Sequence, residues 1–289
     1  MKVLKGVRVL SLSLNLPGPA ALMRCKAMGA TCVKLEPPNG DPMGLYNASA
    51  YVQLHTSVRI AKVDLKTELG QRALHRELAK TDVLLTSFRP SALKKLGLVW
   101  KDLHKLYPQL SLVSIVGAPG ARAEEPGHDL TYMAENDLVQ GLNLPASLYA
   151  DMGGSLMASE AVLQAVLAQR SKGAGVQIEV ALSEAAAYIG LPRTWGLTKP
   201  GAAVGGGHAG YRVYACKDGR VAVAALESHF AASLCALAGL TVGAGGASLK
   251  ALFTAQTHQT IEAWMATKTC LQLDDLAAKH DIPLHTLPK

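Results

Sequence analysis

The order of apolar and polar positions divides the chain into short hydrophobic runs and longer stretches whose apolar residues recur at helical spacing. Residues 7–13 alternate and are rich in branched side chains, which predicts a buried first strand. Asn15-Leu16-Pro17-Gly18-Pro19 reads as a turn, and residues 20–28 read as a helix closed by Gly29. Thr31–Glu36 is a second strand, stopped by Pro37-Pro38-Asn39-Gly40-Asp41-Pro42. Further strands are predicted over 58–65, 82–88 and 110–116, with helices over 68–80, 91–96 and 101–107. Strand and helix thus alternate. That is the α/β pattern of a Rossmann-like, mostly parallel sheet covered on both faces, with ligands at the carboxyl ends of its strands.

The longest apolar stretch, residues 155–170, carries Leu, Ala, Met and Val on all sides without Pro or Gly, which predicts a buried helix. Asp151 stands just before it, with Gly153 and Gly154 between. A carboxylate there is favoured by the unpaired N–H groups and the dipole of the helix start. Residues 172–175 stop this helix, 176–182 form another strand, and Ser183 with Glu184 opens another helix.

A glycine-rich stretch with Pro200, residues 197–210, reads as a linker. The expected organisation is a large Rossmann-like domain over 1–196, the linker, and a smaller α+β domain over 211–289. In the small domain, residues 211–216 and 221–225 flank Lys217-Asp218-Gly219-Arg220, a hairpin signal with Asp-Gly in its turn. Helical segments over 228–238, 247–254 and 259–266 complete it, with Gly243–Gly246 as a flexible tip.

With 289 residues, 49% hydrophobic and 18% charged, the chain can bury a sizeable core. No apolar run is long and charge-free enough to cross a bilayer, and the first residues lack a signal peptide's apolar segment. No membrane partner and a cytoplasmic location are therefore expected. Cys25, Cys32, Cys216, Cys235 and Cys270 are scattered without a C-x-x-C spacing. That argues against a disulfide framework or a metal site and for a reducing compartment. The net charge of +7 is spread along the chain, which fits a solvated basic surface or a pocket for an anionic phosphorylated ligand better than nucleic acid. No G-x-G-x-x-G, phosphate-loop or G-x-S-x-G pattern is present, which disfavours nicotinamide, nucleoside-triphosphate and serine-hydrolase chemistry.

Three places combine ionisable groups with turn chemistry: Gly127-His128-Asp129, Asp151, and Glu227 after the strand ending at Ala225. A histidine and a carboxylate on strand-end loops can face each other across a pocket as two bases. Glu227 would fix an imidazole tautomer, and Asp129 would share a proton with Asp151. Each residue also has a plainer reading. Asp151 caps a helix, His128 is a loop histidine satisfied by backbone, Asp129 caps a helix over 130–135, and Glu227 is solvated.

Eight segments, in order, resemble the class III CoA-transferase family. They are Leu4-Lys5-Gly6-Val7-Arg8-Val9-Leu10, Pro17-Gly18-Pro19, residues 28–36, Phe88-Arg89-Pro90, Leu96-Gly97-Leu98, Gly127-His128-Asp129, Asp151-Met152-Gly153-Gly154 and Asp218-Gly219-Arg220. The resemblance implies an intertwined homodimer acting on acyl-CoA thioesters, with coenzyme A as part of the substrate and no covalently bound cofactor. It makes Asp151 the catalytic aspartate. In the family's transferases that residue carries the acyl group as an anhydride; in its racemases it works with a histidine, here His128, beside a glutamate segment resembling Ala225-Leu226-Glu227.

The racemase pattern is the closer one. A transferase using Asp151 as nucleophile and a non-catalytic acyl-CoA-binding relative are the alternatives. Backbone N–H groups of Met152-Gly153-Gly154 would stabilise an enolate oxygen. Pro17, Arg59, Thr86, Phe88, Arg89, Lys95 and Gly127 would surround the CoA moiety. The chain departs from the family pattern where Pro37 and Lys95 replace arginines, where Thr56-Ser57-Val58-Arg59-Ile60 keeps one charge of a basic stretch, and at Lys289, where relatives continue.

Overall fold

The computed structural model describes residues 2–241 and 250–289, which form two compact units, Met1–Gly190 and Leu191–Lys289. In the first, strands β1 (Arg8–Ser11), β2 (Thr31–Glu36), β3 (Arg59–Lys62), β4 (Val83–Thr86), β5 (Ser111–Val116) and β6 (Gln177–Ala181) lie in the order β3-β2-β1-β4-β5-β6. Every neighbouring pair is parallel. The strand order reverses between β1 and β4, and ligand crevices of doubly wound sheets open at the carboxyl ends beside such a reversal.

The apolar runs follow from burial on both faces. Val9, Cys32, Val83, Leu85, Val113 and Ile115 enter one core, while Leu10, Val33, Leu35, Leu84 and Leu112 enter the other. Helices α1 (Pro17–Ala27) and α8 (Tyr149–Lys172) cover the first face through Leu22, Cys25, Val162 and Val166. Helices α4 (Glu68–Leu78), α5 (Pro90–Lys95) and α6 (Trp100–Leu106) cover the second through Leu74, Leu78, Leu93 and Leu103. The stretch between β2 and β3 forms two short helices, α2 (Met43–Tyr46) and α3 (Ala48–Leu54). A further pair, α7 (Asp129–Glu135) and α9 (Leu182–Ile189), packs against the start of α8.

Two helix starts lie upstream of their expected positions. Helix α1 begins at Pro17, inside the expected turn. Proline suits a first helical position, because its missing N–H would have no helical partner there and its φ is already helical. Helix α8 begins at Tyr149 and runs through both glycines. Gly153 and Gly154 serve helix packing: added Cβ atoms would fall 2.7 Å from Ile189 Cδ1 and 2.3 Å from Leu182 Cδ2. The close approach of α9 offsets the roughly 1 kcal/mol per glycine of lost helix propensity. Nor is α8 buried all round, since Leu156 and Leu167 are 50% and 65% exposed.

In the second unit, β7 (Tyr211–Cys216), β8 (Gly219–Ala224) and β9 (Leu284–Pro288) form an antiparallel sheet in the order β7-β8-β9. The hairpin turn is Lys217-Asp218, and Gly219 is already paired in β8, where an added Cβ would meet Leu287 O of β9 at 2.5 Å. Helices α10 (Leu191–Thr194), α11 (Ser228–Leu237), Ala255–Ala266 and Cys270–His280 accompany the sheet. Tyr214, Val221, Val223, Leu234, Ile261, Met265 and Leu273 are part of the unit's core.

The glycine-rich stretch expected as a linker is folded. Gly205 and Gly207 donate to Ala202 O, and Ala225 donates to Gly210 O. An added Cβ on Gly205 would fall 1.9 Å from Lys199 O, so the glycines mark close backbone packing. The helix Cys270–His280 escaped the periodicity reading, although its Thr269/Gln272 capping box is a readable start signal. The helix expected over 247–254 begins outside the described residues, and Gly243–Gly246 lies outside them entirely. Among the described residues no helix is long and apolar enough to cross a membrane.

Candidate active site

A cavity of about 890 Å³ opens at the carboxyl ends of the central strands. Asn15, Leu16 and Pro17 after β1, Ser87 and Arg89 after β4, and Val116 and Gly117 at the end of β5 line it. Its remaining wall includes Gly127, His128, Asp129, Tyr132 and Asp151. That volume is in the range of small-molecule sites.

His128 is the residue at which α7 starts. Its backbone N–H donates to Thr131 Oγ1 at 3.1 Å, and that hydroxyl donates back to His128 O at 2.8 Å. The backbone is thereby held while the exposed residue lines the cavity. Asp129, the first residue of α7, is buried, and its Oδ1 accepts the backbone N–H of Asp151 at 3.0 Å. Asp129 therefore caps the neighbouring helix α8, where the sequence led us to expect it to cap its own or to share a proton with the Asp151 carboxyl. Asp151 sits in the first turn of α8, half-buried. Burial pushes its carboxyl up to about 6, the Asp129 carboxylate adds to the rise, and His128 opposes it.

Two helix starts, those of α7 and α8, thus meet at the cavity wall and favour negative charge there. The N–H groups expected to act as anion donors are committed elsewhere. Met152 N–H donates to Leu148 O at 3.0 Å. Gly153 and Gly154 lie further inside α8, where N–H groups bond the preceding turn.

The remaining expected residues separate. Pro17, Arg89 and Gly127 join His128, Asp129 and Asp151 around the cavity. Thr86 is sealed inside β4, and its Oγ1 accepts the Phe88 N–H at 3.2 Å. Phe88 packs against the core beneath α4, α5 and α6. Arg59 lies on the edge strand β3, ion-paired with Glu77 at 2.7 Å. Lys95 is exposed in the last turn of α5, where a cation suits the helix dipole. Glu227 is exposed at the start of α11 in the second unit, its side chain making no cap hydrogen bond.

Sequence reading missed a buried ionic cluster behind the cavity. Lys34 Nζ, fully buried, contacts Asp41 Oδ2 at 2.5 Å, His55 Nε2 at 2.8 Å and Glu36 Oε1 at 3.1 Å. Tyr51 OH donates to Glu36 Oε1 at 3.0 Å, and His55 Nδ1 contacts Tyr51 O at 2.7 Å. Burial, and next the Lys34 charge, hold the His55 imidazole below its ordinary value. Asp41 Oδ1 then accepts the N–H groups of Asn15 at 3.0 Å and Met43 at 2.9 Å, both on the cavity wall. Asn15 there has φ +63°, which asparagine tolerates better than most residues. The available signal was a lysine and a glutamate inside a parallel strand buried on both faces, where charges need partners.

Tyr132 was also missed. Its hydroxyl lies so close to Gly117 and Gly127 that Cβ atoms added there would stand 2.2 and 2.5 Å from it. Both glycines therefore make room for the ring beside His128.

A sequence profile described as CoA-transferase family III matches residues 4–288. The chain is 29% identical over 213 residues to a probable fatty acyl-CoA transferase of Mycobacterium tuberculosis, covering 66% of this chain and 52% of that protein. It is 29% identical over 245 residues to human alpha-methylacyl-CoA racemase, covering 78% and 62%. The chain thus spans between half and two-thirds of the length of these curated relatives. Its fold matches a crystal structure of a Mycobacterium tuberculosis protein with a TM-score of 0.84 at 24% identity, covering 98% of this chain and 83% of that one. A Brucella suis CaiB/BaiF family protein matches with a TM-score of 0.83 at 22% identity, covering 100% and 84%.

Proposed function

The chain belongs to CoA-transferase family III, and from that premise we propose that it is an acyl-CoA enzyme moving the α-proton of a 2-methylacyl or similar thioester. The observation that carries this reading is that an imidazole, His128, and a carboxylate of raised proton affinity, Asp151, line one cavity. One base takes the α-proton, the C–H electron pair passes into the thioester carbonyl as an enolate, and the other group returns a proton to the opposite face. A carboxyl near 6 suits both directions, because it is mostly ionised at neutral pH yet accepts a proton readily. The starts of α7 and α8 favour the enolate charge, and Arg89 on the cavity wall is the cation for a CoA phosphate. A homodimer belongs to the same reading and would cover the exposed Leu156 and Leu167 of α8.

The second reading is a CoA transfer in which Asp151 attacks the thioester carbonyl, expels CoA thiolate and holds the acyl group as an anhydride. The likeness to transferases as well as racemases favours keeping it. Incubation with a 2-methylacyl-CoA in heavy water separates them. α-Deuterium uptake that is lost in Asp151→Asn and in His128→Ala supports proton transfer. Hydroxylamine-trapped acyl groups with no deuterium uptake overturn it in favour of transfer.

A further inference from the structure

Cys216 ends β7, Asp218 completes the turn after it, and Cys270 opens the helix Cys270–His280. The two sulfurs stand 3.6 Å apart. Asp218 Oδ1 accepts the Cys270 backbone N–H at 2.7 Å and faces Cys216 Sγ at 3.8 Å. One donor atom from each residue lies within 4.8 Å of the other two. In a tetrahedral zinc site, bonds of roughly 2.3 Å to sulfur put neighbouring sulfurs roughly 3.8 Å apart. The observed spacing needs little adjustment. Both cysteines are buried, whereas Asp218 is exposed and gives an ion a way in from solvent. Gly219 keeps the space open, since an added Cβ would fall 3.0 Å from Cys270 Sγ.

The first unit supplies an internal control. Glu36, Asp41 and His55 converge to the same degree, but Lys34 Nζ contacts all three and already occupies the place of a cation. Around Asp218 there is no counterpart: among the described residues its carboxylate has no Lys, Arg or His nitrogen within 4.0 Å. Two sulfur donors and one carboxylate select a soft or borderline ion over magnesium or calcium. We infer that Cys216, Asp218 and Cys270 bind a divalent cation of the zinc type, with the fourth position left to water. Binding releases both thiol protons to solvent, forms two metal–thiolate bonds and ties the β7–β8 turn to the helix start. A residue separation of 54 between the cysteines explains why no spacing motif announced the site. The inference is independent of the reaction proposed above.

The test uses the full chain, reduced, freed of metal with a chelator and titrated with Co²⁺ and then Zn²⁺. Expected are a thiolate-to-cobalt absorption band saturating at one ion per chain, its displacement by Zn²⁺, and a higher unfolding midpoint with Zn²⁺. Cys216→Ser and Cys270→Ser each abolish the band, with circular dichroism checking that the chain stays folded. Asp218→Asn, which leaves both thiols in place at an exposed position, weakens Co²⁺ binding by about tenfold or more. Cys25→Ser leaves the band intact. Absence of a band in the unaltered chain, or its persistence without both cysteines, overturns the assignment. So does loss of two hydrogens on mild peroxide treatment by a reduced chain that takes up no metal; the pair is then a redox dithiol.

Discussion

Asp151 lines the cavity and Asp41 lies behind its wall, and their surroundings differ in kind. Asp41 has an ammonium on one oxygen and two backbone N–H groups on the other. Asp151 has no cation within ion-pair distance among the described residues, and burial, with the Asp129 carboxylate next, raises its proton affinity. A buried carboxylate with all its partners is scaffolding, because neither its charge nor its position is free to change. One left short of partners holds its proton more tightly and is poised to exchange it. The fold therefore places a fully ion-paired cluster behind the wall and, in the wall, an acid with no ion-pair partner among the described residues.

The contrast breaks most directly if the two carboxylates prove interchangeable. Asp151→Asn is expected to lower α-hydrogen exchange by roughly 10²–10⁴-fold, the usual worth of a positioned base. In the unaltered chain, the exchange rate expected from proton transfer should climb as pH rises through about 6, where Asp151 loses its proton. A flat profile there would remove Asp151 from the chemistry.

Lys34→Met leaves Glu36 and Asp41 buried without their cation and should cost about 3–5 kcal/mol in urea unfolding. Adding Asp41→Asn should restore part of that loss, which a double-mutant cycle measures. Gly127→Ala comes next. Its methyl group would meet the Tyr132 hydroxyl at 2.5 Å and the ring at 2.7 Å, and a ring cannot yield as a flexible chain end does. The expected loss is about 1–3 kcal/mol of stability together with slower exchange.

The smallest effect has the opposite sign. Asp151 ionises near 6 in the fold and near 3.8 when unperturbed, so the folded state binds its proton more tightly. That advantage is present below pH 3.8, declines as pH rises towards 6, and above 6 leaves the ionised carboxylate as a standing cost. Asp151→Asn should therefore stabilise the chain by on the order of 1–2 kcal/mol above pH 7, with the difference vanishing near pH 4. Unfolding midpoints across that range check it, and a variant less stable at every pH would show that Asp151 is structural after all.

The Rossmann-like sheet was legible because its strands are buried on both faces and so read as uninterrupted apolar runs between turns. Thr31–Glu36 has the same bounds in the sequence reading and in the structure. His128 and Asp151 were legible as candidates because ionisable residues beside turn glycines stand out against such a background. Illegible were Thr86 and Phe88 as core groups, Arg59 as the partner of Glu77, and the folded state of the glycine-rich stretch. Each depends on a neighbour distant in the chain, which periodicity does not register.

Local pattern alone decided the alternation of strands and helices along the large sheet, its parallel character and the β7–β8 hairpin, because these follow from side-chain periodicity and turn chemistry within a few residues. Only the folded chain decided that α8 starts at Tyr149, that Asp129 caps it, that Lys34 fills the centre of three donors, and that Cys216 meets Cys270. Those are balances of charge and hydrogen bonding between residues that become neighbours only after the chain has closed on itself.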